Sequence, residues 1–137
     1  MTFLVERLAE LRRYLTHLRE LQATVPSAAA LEMDLARRND VLFSLLMVSQ
    51  LVIDIAGELS SNQQMPFDDY RGAITNLRWM AGFSPEVVTA LELMPGFRNA
   101  LVHDYIRFNL DRAAAAVHAL DPVEEFVRVV SNIEAAG

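Results

Sequence analysis

Leu4, Leu8, Leu11, Leu15, Leu18 and Leu21 recur at steps of three or four residues. That spacing is the apolar stripe of an amphipathic helix and is incompatible with the two-residue alternation of a half-buried strand. It predicts a helix over residues 3–24, with Glu6, Glu10, Arg12, Arg13 and Arg19 on its other faces and a stop at Pro26 and Ser27. A second helix is expected over 28–60. Its first half is mixed, whereas its second half, "VLFSLLMVSQLVI" at 41–53, is apolar nearly all round and so buried on more than one side. A bilayer-spanning helix needs about 20 apolar residues, so this shorter run reads as a core helix, with no membrane role. The segment "SSNQQMP", residues 60–66, reads as a loop.

Further helices are expected over 68–81, with Asp68 and Asp69 at its positive end, and from Ser84 as N-cap and Pro85 as first residue. A break is expected at Pro95-Gly96, then helix over 97–108 and a last helical stretch over 111–135, capped by Asn109 or Asp111 and kinked or split at Asp121-Pro122. No segment alternates with strand period, and no repeat or linker interrupts the chain. The expected fold is all-α, an antiparallel bundle of about five helices forming one domain over residues 1–137.

Composition narrows the function classes. With no cysteine, disulfide and thiolate chemistry are excluded. The first fifteen residues are interrupted by charge, which is unlike a secretory signal, so a cytoplasmic location is expected. A net charge of −6 argues against a broad nucleic-acid footprint, although all twelve basic residues are arginine and a small local site is compatible with it. A hydrophobic fraction of 53% is high for a small helical monomer and points to a buried homodimer interface.

One stretch stands apart: "MPGFRNALVHDYIRF", residues 94–108, sets Arg98, Asn99, His103 and Tyr105 in an otherwise apolar helical pattern. On one straight helix Arg98 and Tyr105 share a face, as do Asn99 and His103, while Arg98 and His103 lie roughly 140° apart. Either a flexible helix start after Pro95-Gly96 or the meeting of two copies in one cleft would bring arginine and histidine together. The pairing suits metal-independent RNA cleavage, with no cofactor. Arginine holds phosphate through a planar fork at any relevant pH. Histidine can take the proton of the 2′-hydroxyl or give one to the leaving 5′-oxygen. Arginine would stabilise the charge that builds up on phosphorus. Asn99 could orient the imidazole or hydrogen-bond across the dimer, and Tyr105 could touch phosphate or stack on a base. Each residue alone has an ordinary structural explanation, such as capping, solvation or core packing. The combination at fixed spacing is what draws notice.

The segment "RNALVHDY" resembles the Arg-x4-His-x-Tyr motif of HEPN-domain toxins of the HepT kind, including the asparagine after the arginine. The likeness extends to the order of long helices, the "QLVIDIAGELS" end of the second helix and the helix leading into "GFRN". It implies a homodimeric all-α bundle with a composite ribonuclease cleft at the dimer interface. Arg98 and His103 would be catalytic, with Asn99 and Asp104 in support, and the RNA substrate would be tRNA or mRNA. It also implies a partner, an MNT-type minimal nucleotidyltransferase antitoxin, that transfers AMP to Tyr105. The added bulk and negative charge would then repel an RNA phosphate. Arg107 and Arg112 follow the motif and are candidates for weak phosphate contacts, against ordinary surface roles.

Asp54 and Glu58, four residues apart, could form a metal pair, but without a third ligand a buried polar contact or a helix-end role is the better reading. His17 and His118 read as structural, and Trp79 and Met80 as core or interface. The rival function is a HEPN-like subunit that binds substrate for a minimal nucleotidyltransferase and cuts nothing. Loss of cleavage in a folded His103 variant discriminates the two.

Overall fold

A computed structural model describes residues 2–137. Among them the secondary structure is eight α-helices and three short 3-10 turns, with no strand. The helices are α1 (Thr2–Leu21), α2 (Ala28–Met33), α3 (Leu35–Asn62), α4 (Tyr70–Thr75), α5 (Pro85–Leu91), α6 (Met94–His103), α7 (Leu110–Val117) and α8 (Asp121–Ala136). The all-α expectation holds. The bundle has more and shorter helices than the sequence predicts.

The leucine stripe does what its spacing dictates: Leu4, Leu8, Leu11, Leu15 and Leu18 are buried, and Leu21 packs partly buried against the same core. α3 is the axis of the molecule. It packs against α1, α2, α4, α6 and α7, and its buried residues run on several sides from Val41 to Ser60. By length and composition alone α3 could cross a membrane, but 56% of its most apolar window is buried against these neighbours, as in the central helix of a bundle. α8 closes the structure against α1 and α5, placing Phe126 at the centre of the core.

The corners are set by side-chain caps. Asp34 adopts an extended backbone, φ −134°, and its carboxylate accepts from Arg37 N at 3.0 Å, so the helix expected over 28–60 is split into α2 and α3. Asp69 caps α4 by accepting from Gly72 N at 2.7 Å, and the chain then tightens into a 3-10 turn over Asn76–Trp79, where one helix to residue 81 was expected. Ser84 and Pro85 start α5 as expected, with Val87 N donating to Ser84 Oγ. The break expected at Pro95-Gly96 falls earlier. α6 begins at Met94 with Pro95 in its first turn, where a missing N–H leaves no helical bond unmade. Asn109 caps α7. The stretch expected over 111–135 splits between Val117 and Asp121, and Pro122 occupies the first turn of α8. Gly82, at φ +99°, makes the turn into α5.

The start and the end of the chain are tied together. Arg19 Nε donates to Glu124 Oε1 at 2.7 Å and its Nη2 to Asp121 Oδ1 at 2.8 Å. Gln22 Nε2 donates to Val117 O at 2.9 Å, and a ring nitrogen of His118 meets Val25 O at 2.7 Å. His17 lies 2.8 Å from Asp40 Oδ1, so both histidines outside the motif are structural, as expected. Met80 is buried, whereas Trp79 is 75% exposed and takes no part in the core of the single chain.

Candidate active site

α6 carries the motif across the middle of α3. Its apolar side, with Pro95 and Leu101 buried and Phe97 and Ala100 partly so, fixes the rotation of the helix. Phe97 packs edge-on against Phe108, ring centroids 5.1 Å apart, which folds the chain after the motif back on α6. This rotation leaves Arg98 half-buried and facing α3, and leaves Asn99 and His103 exposed.

Arg98 is held on three sides. Its Nε donates to Gln50 Oε1 at 2.9 Å and its Nη1 to Asn99 Oδ1 at 2.9 Å. Its guanidinium carbon lies 5.5 Å from the centroid of the Tyr70 ring. Gln50 Nε2 in turn donates to Asp54 Oδ1 at 2.8 Å. Asp54 is therefore a polar contact on α3, as expected, and its partner is Gln50. Among the described residues no carboxylate forms an ion pair with Arg98. A guanidinium has five N–H donors, and two are used here, so three remain for an anion.

His103 lies in the last turn of α6, with its side chain exposed. The structure does not join it to Arg98 by a hydrogen bond, in keeping with their angular separation on the helix. The expected continuation of this helix to Phe108 is not observed. Asp104, at φ −152° and ψ 59°, ends α6, and Tyr105–Arg107 form a 3-10 turn closed by Arg107 N donating to Asp104 O at 3.2 Å. The face shared by Arg98 and Tyr105 on a straight helix is thus broken. The physical cause is the backbone of Asp104, which shifts Tyr105 out of helical register. Tyr105 projects from this turn with 65% of its surface exposed, beside Ile106 at 82% and the exposed Val102.

The two later arginines diverge. Arg107 is exposed on the turn. Arg112 lies on α7 with its guanidinium 4.8 Å from the Phe97 ring centroid, at the edge of an apolar cavity of about 280 Å3 that Leu45, Leu93 and Met94 also line. It does not join the Arg98 network. Sequence reasoning missed Gln50 and Tyr70. For Gln50 a signal was present, namely an amide inside an apolar run with an aspartate four residues on. For Tyr70 there was none, because its approach to Arg98 is a tertiary event.

Comparison with known proteins bears on these features. The family model described as Ribonuclease HepT-like matches residues 11–130. The chain is 26% identical over 129 residues to the mRNA nuclease HepT of Shewanella oneidensis, covering 93% of this chain and 95% of that protein. A solved tri-AMPylated Shewanella oneidensis HEPN toxin in complex with an MNT antitoxin superposes with a TM-score of 0.80 at 25% identity, over 96% of this chain and 98% of the other. A toxin–antitoxin structure with AMP-PNP shares the fold at a TM-score of 0.79 and 24% identity, over 95% and 98% of the two chains.

Proposed function

The chain belongs to the Ribonuclease HepT-like family, and from that premise we propose that it is the toxin of a HepT/MntA-type pair, a metal-independent endoribonuclease that works as a homodimer in the cytoplasm. The observation that carries the reading is the state of Arg98. It is oriented by neutral oxygens, has no carboxylate partner among the described residues, and shares a short helix with an exposed histidine.

In this reading Arg98 binds the scissile phosphate of tRNA or mRNA with its unused donors and stabilises the charge gathered on the non-bridging oxygens. His103 removes the 2′-hydroxyl proton. The 2′-oxygen bonds to phosphorus, the bond from phosphorus to the 5′-oxygen breaks, and that oxygen leaves with a proton. A second copy would bring a second His103, so that one imidazole takes the proton while the other supplies one. The exposed Val102 and Ile106 beside His103 support a contact between copies at this end of α6. Asp104 supports the site through its backbone, by ending α6 just after His103.

The reading extends to regulation. Tyr105 is the acceptor for AMP from a cognate MNT-type nucleotidyltransferase, and its exposure on a tight turn supports entry to another enzyme's site. The relative captured with its antitoxin is an AMPylated toxin. Phosphate fixed there would stand beside the residues that bind RNA phosphate and repel it.

The test is cleavage of total RNA and tRNA in EDTA by the unmodified protein and by His103→Ala. The expected outcome is cutting by the first and none by the folded second. If the unmodified protein cuts no RNA, the nuclease reading fails and a non-catalytic subunit that binds substrate for the nucleotidyltransferase replaces it.

A further inference from the structure

On the nuclease reading above, we propose that Gln50, fixed by Asp54, is a positioning residue that aims Arg98 at the RNA phosphate while leaving its charge whole. The geometry is specific. A free glutamine amide can turn its oxygen or its nitrogen toward a neighbour, and the two orientations look alike in shape. Here the choice is forced from both ends. Asp54 Oδ1, an acceptor, lies 2.8 Å from one amide atom of Gln50, and Arg98 Nε–H, a donor, lies 2.9 Å from the other. Only one orientation satisfies both. The carboxylate of Asp54 therefore holds the amide so that its oxygen always meets Arg98.

This arrangement solves a conflict. An arginine that must bind phosphate has to be held still, because a swinging guanidinium spends rotational freedom each time it binds. The usual strong holder is a carboxylate in a bidentate pair, but that occupies the fork and cancels the charge. Here the carboxylate is displaced by one residue, and the amide passes on its orientation without its charge. Asn99 Oδ1 does the same at Nη1, and the face of Tyr70 limits movement out of the plane. What remains free is an edge of unused N–H donors.

Two variants separate position from charge. Gln50→Leu keeps volume and removes the acceptor. Gln50→Glu, made together with Asp54→Asn so that no second carboxylate lies against the new one, keeps the acceptor and gives Arg98 an ion pair. Both are compared with the unmodified protein and with His103→Ala by kcat and KM for one defined RNA, after melting has shown that they are folded. Arg98 Nε–H exchange is followed by nitrogen-15 NMR. Expected are a kcat lower by about tenfold to a hundredfold with little change in KM for Gln50→Leu, together with faster Nε–H exchange, and a loss of similar size for Gln50→Glu with Asp54→Asn, the exchange still slow. A folded Gln50→Leu with normal kcat overturns the positioning role while the nuclease reading stands. Full activity in Gln50→Glu with Asp54→Asn overturns the claim that neutrality matters. If the unmodified protein cuts nothing, both the nuclease reading and this role fall.

Discussion

The ion pair that locks α5 to the preceding turn makes a prediction in which sign and size can both be worked out. Glu92, just after α5, accepts from Arg78 Nη2 at 2.8 Å through one oxygen and from Thr75 Oγ1 at 2.6 Å through the other. Its side chain is 10% exposed and that of Arg78 is 30% exposed. The hydrogen bond from Arg78, and after it the one from Thr75, hold the Glu92 carboxyl below the usual carboxylate range, against the opposing effect of burial. A fully buried pair broken on one side costs roughly 3–5 kcal/mol, and an exposed pair is worth at most about 1 kcal/mol. This pair lies between those limits, and glutamine retains some of the hydrogen bonding. Glu92→Gln should therefore cost about 1–2 kcal/mol at neutral pH. Because the folded-state pKa is lowered, the stabilisation is present above the unfolded value of about 4.3 and is lost as pH falls through the folded value. Urea midpoints for the two proteins should differ clearly at neutral pH and converge in acid, as pH falls through the folded value. A gap of the same size at both pH values would refute the electrostatic account, because a packing defect does not titrate. No gap at neutral pH would refute the magnitude.

Other consequences are as direct. Gly82→Ala forces a side chain into φ +99° and sets its Cβ 2.9 Å from Val129 Cγ1, so the melting transition should fall by an amount equivalent to roughly 2–4 kcal/mol. Adding Val129→Ala should remove the clash, so that the double variant loses less than the sum of the singles, and strict additivity would show that no clash exists. Tyr105→Phe, produced together with the cognate nucleotidyltransferase, should carry no AMP by intact mass, and AMP found at full stoichiometry would place the modification elsewhere.

Much of this molecule can be read in its sequence wherever one physical rule acts alone. The leucines of α1 obey helical period because a single face meets the core. Ser84-Pro85, Asp69 and Asn109 cap helices because short polar side chains reach backbone N–H groups at those positions. Reading fails where two rules compete. Asp34 stands in a continuous helical pattern, yet capping outweighs continuation there. Pro95 and Gly96 read as a break, yet proline is at home in the first turn of a helix. Asp104 has no sequence mark to distinguish it from a helical residue, so the turn that displaces Tyr105 could not be foreseen. The candidate site divides in the same way. Arg98, Asn99, His103 and Tyr105 stand within eight residues and are visible as a pattern. Gln50 meets Arg98 across 48 positions of chain, and only the packing of α6 on α3 brings the two together.

The stitching of the first helix to the last two also sets when the fold can close during synthesis. A growing chain leaves the ribosome N-terminus first. Arg19, Gln22 and Val25 emerge early and must wait for partners between Val117 and Glu124, and the centre of the core waits for Phe126. Contacts of that sequence separation make folding late and cooperative. The helix bearing Arg98 and His103, and α3 on which it packs, are made before α8 closes the core, so a chain cut short before α8 would display the motif on an unfinished core. Synthesis into α8 is then the point at which the core beneath the motif can close.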